Sequence, residues 1–275
     1  MKHETEPILQ VNNLVKDYVS RGLLNSKSQV FHAVNNISLE LYPGSTYALV
    51  GESGSGKSTT GKIICALEKA TAGTVTLLGE NYTNDSPSQL RKNIRGNIQM
   101  VFQDPFSALN PRKTIGDAVI EALQIRDIGS SGRERRNIAR DTLQRVGLSV
   151  WHMDRYPHQF SGGQLQRVNI ARALAVQPKI LILDESVSAL DVSIQAQVLN
   201  LLQEIKEEFS LSYLFITHDL SVVRFIADYV GVLFKGQLVE EGETKEIFEH
   251  PENEYTIRLL DSVPRTDPQQ RHLLG

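Results

Sequence analysis

The chain has 275 residues, 40% hydrophobic and 22% charged, enough for one full-sized core with a smaller lobe attached. A formal net charge of -3 supplies no global basic field, so no nucleic-acid partner is expected. The single cysteine, Cys65, excludes an intrachain disulfide framework, a cysteine zinc site and a cysteine-held iron–sulfur cluster. Residues 1–10 carry Lys2, His3, Glu4 and Glu6 without an apolar stretch, unlike a signal peptide. No run of about eighteen apolar residues predicts a transmembrane helix, so any membrane role is expected through a partner.

In chain order, 8–18 and 33–41 are β-rich, with a polar loop over 20–28 between them. Residues 45–50 (STYALV) form a short apolar strand that runs into a glycine-rich turn, and a helix is expected from Lys57 to about Glu68. Strands follow over 74–78 and 97–102. Helical spacing covers 114–125 and 133–146, split by Gly129-Ser130-Ser131-Gly132. Ser161 can cap a helix reaching about Val176, closed off by Pro178. Residues 180–183 are wholly apolar, as in a buried parallel strand, and 213–217 (YLFIT) read the same way. Between them Val198, Leu201, Leu202, Ile205 and Phe209 share one helix face. This alternation predicts an α/β fold with a helical insertion over 104–176.

Gly51-Glu52-Ser53-Gly54-Ser55-Gly56-Lys57-Ser58 matches the phosphate-loop pattern G-x-x-x-x-G-K-[ST]. Its glycines let backbone N–H groups line an anion site, and the following helix adds its positive dipole end. Lys57 is expected to reach the β- and γ-phosphates of ATP, Ser58 to place its hydroxyl on Mg²⁺, and Thr59 to belong to the same site. The run Ile180-Leu181-Ile182-Leu183-Asp184-Glu185 buries a strand and presents two carboxylates at its C-terminal end, where ligands bind in open α/β sheets. Asp184 is expected to hold Mg²⁺ and Glu185 to orient or deprotonate the attacking water.

Phe160-Ser161-Gly162-Gly163-Gln164, followed by Leu165-Gln166-Arg167, resembles the LSGGQ signature of ATP-binding-cassette (ABC) ATPases. The order and rough spacing of the phosphate loop, signature and apolar-DE strand are similar to that family across essentially the whole chain. The resemblance implies a RecA-like core with an antiparallel β-subdomain (1–103 and 177–250), a helical subdomain (104–176) and a tail (251–275) in one domain. It also implies Gln103 as a glutamine sensing Mg²⁺ and the attacking water, His218 as a γ-phosphate contact, Ser188-Ala189-Leu190-Asp191 as the D-loop, and Tyr18 as the ring stacked on adenine. Ser161, Gly162, Gly163 and Gln164 would serve the ATP of a partner subunit.

The stretch Phe102-Gln103-Asp104-Pro105-Phe106-Ser107-Ala108-Leu109-Asn110-Pro111-Arg112 resembles the extended Q-loop of oligopeptide, dipeptide and nickel importers, and the tail PENEYTIRLL resembles theirs. Phe160 replaces the commoner leucine, Ser186-Val187 the usual Pro-Thr, and Asn253-Glu254 the tail's His-Pro. The implied partners are membrane-spanning permease subunits, a second ABC ATPase in a heterodimer and, indirectly, an extracytoplasmic substrate-binding protein, with the chain at the cytoplasmic face of the membrane. The alternative is an ABC-type ATPase of a soluble phosphonate-degrading assembly, against which the extended Q-loop stands. His152, His158, His250 and His272 lack ligand-like spacing and are not expected to form a metal site.

Overall fold

The computed structural model describes residues 5–20, 29–83, 94 and 96–262. Strands β1 (Leu9–Ser20), β2 (Gln29–Leu41), β4 (Ala72–Leu77) and β5 (Glu80–Asn81) form an antiparallel sheet in the order β2-β1-β4-β5. Strands β3 (Thr46–Val50), β6 (Ile98–Val101), β7 (Ile180–Asp184), β8 (Ser212–Thr217), β9 (Tyr229–Phe234) and β10 (Gln237–Glu243) form the second sheet, in the order β10-β9-β3-β8-β7-β6. Within it β10 alone runs antiparallel to its neighbour.

Every residue of β3, β7 and β8 is buried, as continuous apolar runs in a parallel sheet demand. The period of two sorts their side chains between two cores. Ile180, Ile182, Leu214 and Ile216 pack with Leu9, Val11 and Ile37 of the antiparallel sheet. Leu181, Leu183, Tyr213 and Phe215 pack with Leu165, Val168, Val198 and Leu202 of the helices. A third cluster joins Ala48, Val50 and Val232 to Ile247 and Tyr255 near the C-terminal end of the described chain.

Helix α1 (Lys57–Ile64) follows β3. Between β6 and β7 lie α2 (Ile115–Ile125), α3 (Gly132–Arg145), two 3₁₀ turns (Val150–Asp154 and Pro157–Gln159) and α4 (Gly162–Leu174), with no strand among the described residues. Helices α5 (Val192–Phe209), α6 (Leu220–Ile226), α7 (Thr244–Glu249) and α8 (Glu254–Asp261) follow. The starts of α2, α3 and α4 are set by Thr114, Ser131 and Ser161, whose side chains accept from Asp117, Glu134 and Gln164 N–H groups.

Helix α1 ends four residues before the expected Glu68. Ala66 takes the left-handed conformation at φ 54°. Its N–H returns to Ile63 O at 2.9 Å and that of Leu67 to Lys62 O at 2.9 Å, which closes the helix in a Schellman motif. Alanine rather than glycine stands at the turning position, so the sequence carries no stop signal there. Of the loop expected over 20–28, Ser20 ends β1 and the rest lies outside the described residues, as does 263–275 of the tail.

Candidate active site

Parallel registry puts the phosphate loop, Asp184 and His218 on one edge of the sheet. Val50, the last residue of β3, pairs with Thr217, and Asp184, the last of β7, pairs with Ile216 of the same strand β8. The three C-terminal ends therefore deliver Gly51, Glu185 and His218 to one place.

The loop after Val50 must be glycine at two points. Gly51 and Gly56 have φ of 146° and 107°, and a Cβ there would lie 2.1 Å from Leu233 O and 2.3 Å from Ala33 O. The loop is thus pressed against the backbone of β9 and of β2, in a conformation that favours glycine. Lys57, 4% exposed, donates through Nζ to Gly51 O at 2.7 Å and Glu52 O at 2.8 Å. Burial holds its ammonium below the ordinary lysine range, against the opposing pull of Glu185, Asp184 and Glu52.

Ser58 Oγ donates to Asp184 Oδ1 at 2.8 Å. Asp184 is 6% exposed, and burial raises its carboxyl, helped by the Glu185 charge and opposed by the Ser58 hydrogen bond. No group of three or more His, Cys, Asp or Glu stands together as a metal cage among the described residues. One carboxylate and one hydroxyl at a phosphate loop fit Mg²⁺, which takes few protein oxygens and completes its shell with phosphate and water.

Glu185 sits in the left-handed region at φ 47°, with its N–H bound to Ile216 O at 2.8 Å. A non-glycine residue in that region is strained by about 1–3 kcal/mol, a cost found where geometry serves a site. Gln103 Nε2 donates to Glu185 Oε2 at 2.7 Å, and His218 Nδ1 lies 3.3 Å from Oε1. Ser188 Oγ donates to Glu185 O at 2.8 Å, which ties the D-loop to the same residue.

A cleft of about 320 Å³ runs from Tyr18, Phe31 and Ala33, past Ser53, Gly54, Gly56, Lys57, Ser58 and Thr59, to Gln103 and Glu185. Tyr18 is fixed by its hydroxyl, which donates to Glu68 Oε1 at 2.7 Å, while Lys16 Nζ lies 5.0 Å from the ring centroid. Phe31 pairs directly with Tyr18 across β1 and β2, which puts both rings on one face. Phe31 escaped the sequence reading because β2 starts at Gln29, earlier than the expected residue 33; its register with Tyr18 is the signal that finds it. Ser161, Gly162, Gly163 and Gln164 do not line this cleft. Ser161 N–H donates to Gln164 Oε1 at 3.0 Å and Gln164 N–H to Ser161 Oγ at 3.3 Å, a reciprocal cap that leaves the serine its own proton to donate. A second hollow of about 530 Å³, lined by Met100, Phe102, Ala108, Glu121, Ile125 and Arg172 among others, holds none of the expected site residues but Cys65's helix end borders it.

The family model for ABC transporters matches residues 34–188, and that for the oligopeptide/dipeptide transporter C-terminal region matches 239–275. The glutathione import ATP-binding protein GsiA of Escherichia coli O6:H1 is 47% identical over 267 residues, and that of Escherichia coli K12 is 46% identical. Each alignment covers 97% of this chain and 42% of the relative, so the chain spans less than half the length of these curated relatives. The dimeric post-hydrolysis state of the ATP-binding cassette MJ0796 bound to ADP and Pi superposes with a TM-score of 0.76 at 32% identity, over 86% of this chain and 98% of that one. CbiO1 from Clostridium perfringens, part of the ABC transporter complex cbiONQ, gives a TM-score of 0.76 at 28% identity, over 95% and 97% of the two chains. The fold is the α/β fold of ABC ATPase cassettes, and the chain belongs to the ABC transporter family.

Proposed function

We propose that this chain binds MgATP and hydrolyses it to drive import of small peptides across the cytoplasmic membrane. The observation that carries the catalytic part is the convergence of Gln103 and His218 on the Glu185 carboxylate, next to the Ser58–Asp184 pair. Ser58 and Asp184 would hold Mg²⁺, which neutralises charge on the phosphate oxygens. Lys57 adds a positive point charge to the β- and γ-phosphates. Glu185 takes a proton from the water whose oxygen attacks the γ-phosphorus, while the bond to the β–γ bridging oxygen breaks. Gln103 and His218 set the direction of that carboxylate. Tyr18 and Phe31 take the base.

The Ser161 hydroxyl and the N-terminus of α4 suit a phosphate held by a second ATPase subunit, with which the chain forms a heterodimer. No helix among the described residues is long and apolar enough to cross a membrane, so transport rests on permease subunits, with a substrate-binding protein acting through them. The chain then works at the cytoplasmic face. The match of 239–275 to the oligopeptide/dipeptide transporter region and the likeness to a glutathione import protein support a peptide cargo over nickel.

Uptake of labelled small peptides, glutathione and nickel by cells carrying Glu185→Gln tests this reading. Loss of peptide or glutathione uptake alone supports it. Loss of nickel uptake alone moves the cargo to the metal. Normal uptake of all three, with the chain in soluble fractions, overturns the importer and favours a soluble phosphonate-degrading assembly.

A further inference from the structure

We propose that Tyr255, in the C-terminal helix α8, is a positioning residue of the phosphate loop. The Glu52 N–H donates to the Tyr255 hydroxyl at 3.1 Å. The Glu52 carbonyl accepts from Lys57 Nζ at 2.8 Å and from Ser55 N–H at 3.2 Å. One residue of the loop is therefore gripped on both sides, by the tail at its N–H and by the nucleotide-facing lysine at its carbonyl. The proposal rests on the MgATP reading of that loop.

Tyr255 is built to hold still. It is 7% exposed and packs in the cluster that contains Val50, the residue leading into the loop. Its ring centroid lies 4.2 Å from that of Phe234. Its own N–H donates to Asn253 Oδ1 at 2.9 Å, which caps α8. The approach to the helix is pinned by Glu240 of β10, whose carboxylate accepts from the Glu252 and Asn253 N–H groups at 2.7 and 3.2 Å. Strand β10, the tail and the loop thus form one connected path, and a displacement of the tail reaches the peptide on which Lys57 leans.

An N–H committed to Tyr255 is not available to a phosphate oxygen, so the tyrosine acts through loop geometry and touches no substrate. A neutral hydrogen bond of this kind corresponds to about two- to tenfold in an equilibrium constant.

The test is Tyr255→Phe in the full chain, which keeps the ring against Phe234 and removes only the hydroxyl. Two readouts are followed: MgADP affinity by calorimetry, and amide hydrogen exchange at Glu52 in the nucleotide-free protein. The expected result is about two- to tenfold weaker MgADP binding and faster Glu52 exchange, with the thermal midpoint kept. Glu240→Ala, which loosens the tail without touching the loop, is expected to shift both in the same direction and serves if Tyr255→Phe does not fold. Unchanged Glu52 exchange and unchanged affinity overturn the proposal. A lowered midpoint with unchanged affinity also overturns it, since that is a merely structural tyrosine. If the unaltered chain fails to bind MgADP, the nucleotide reading itself falls, and Glu52 exchange still decides the contact.

Discussion

Gln103 donates its side-chain amide to the Glu185 carboxylate at 2.7 Å, across 82 positions of sequence. The residue that enters the helical segment therefore holds the acid that directly follows β7. Glu185→Gln keeps the shape and removes the base. It is expected to retain ATP binding, trap the closed state and lower turnover by about 10²–10⁴-fold. Phosphate release set beside nucleotide affinity checks this, and near-normal turnover would overturn the assignment of Glu185.

Lys57 is expected to matter for binding rather than for folding. Its ammonium is buried against two loop carbonyls, and burial already disfavours the charge. Lys57→Ala removes a charge-assisted contact to phosphate, a loss of at least about tenfold in affinity. Calorimetry with MgATP reads the effect, and thermal melting of the nucleotide-free protein separates it from misfolding.

Helix α4, which begins at the signature, also fastens the segment that follows Gln103. Asn169, 2% exposed, donates through Nδ2 to Pro105 O at 3.1 Å, and one turn later the Arg172 guanidinium binds Ala108 O. Asn169→Ala leaves the Pro105 carbonyl without this donor, at about 1–3 kcal/mol. The expected outcome is a lower unfolding midpoint together with a kcat that falls more than KM rises, because Gln103 loses its anchor while the phosphate loop does not. Equal changes in kcat and KM would mean that the latch does not act through Gln103.

Phe31 faces the cleft while 61% exposed, a position with little packing to recommend it. If it shares the base with Tyr18, Phe31→Ala weakens ATP by about 0.5–1.5 kcal/mol and leaves inorganic triphosphate binding unchanged. Comparing the two ligands on one variant distinguishes a base contact from a general loosening of β2.

The parts of the site that read directly from sequence are those whose chemistry fixes a local spacing. A phosphate cradle needs Gly51, Gly56, Lys57 and Ser58 within one turn, and a buried strand ending in Asp184 and Glu185 announces both burial and charge. The α/β alternation was legible for the same reason, since apolar period and turn residues act over a few positions. What stayed hidden depends on register and on distant partners. Phe31 enters the cleft only through its pairing with Tyr18. The end of α1 at Ala66 uses a residue that carries no turn signal. Tyr255 meets Glu52 across 203 positions, a contact no local pattern encodes.

Asp219 offers a prediction whose sign is set by pH. It caps α6 directly after His218. Burial pushes its carboxyl up, but the Ser221 hydroxyl and N–H, at 2.5 and 2.9 Å, and the Gln195 amide outweigh burial and hold it below the ordinary value of 3.8. A depressed carboxyl stabilises the fold fully above 3.8 and loses that contribution as pH falls through its lower folded value. Asp219→Ala is therefore expected to cost about 1 kcal/mol at neutral pH, from the missing cap. Urea unfolding at descending pH should show the gap between variant and parent begin to narrow near 3.8, where the unfolded chain takes up the proton first, and level off once the folded carboxyl is protonated as well. A gap that holds constant into acid would show that the capping charge contributes nothing. Turnover at neutral pH gives the functional half, because the cap sets where β8 ends and therefore where His218 meets Glu185.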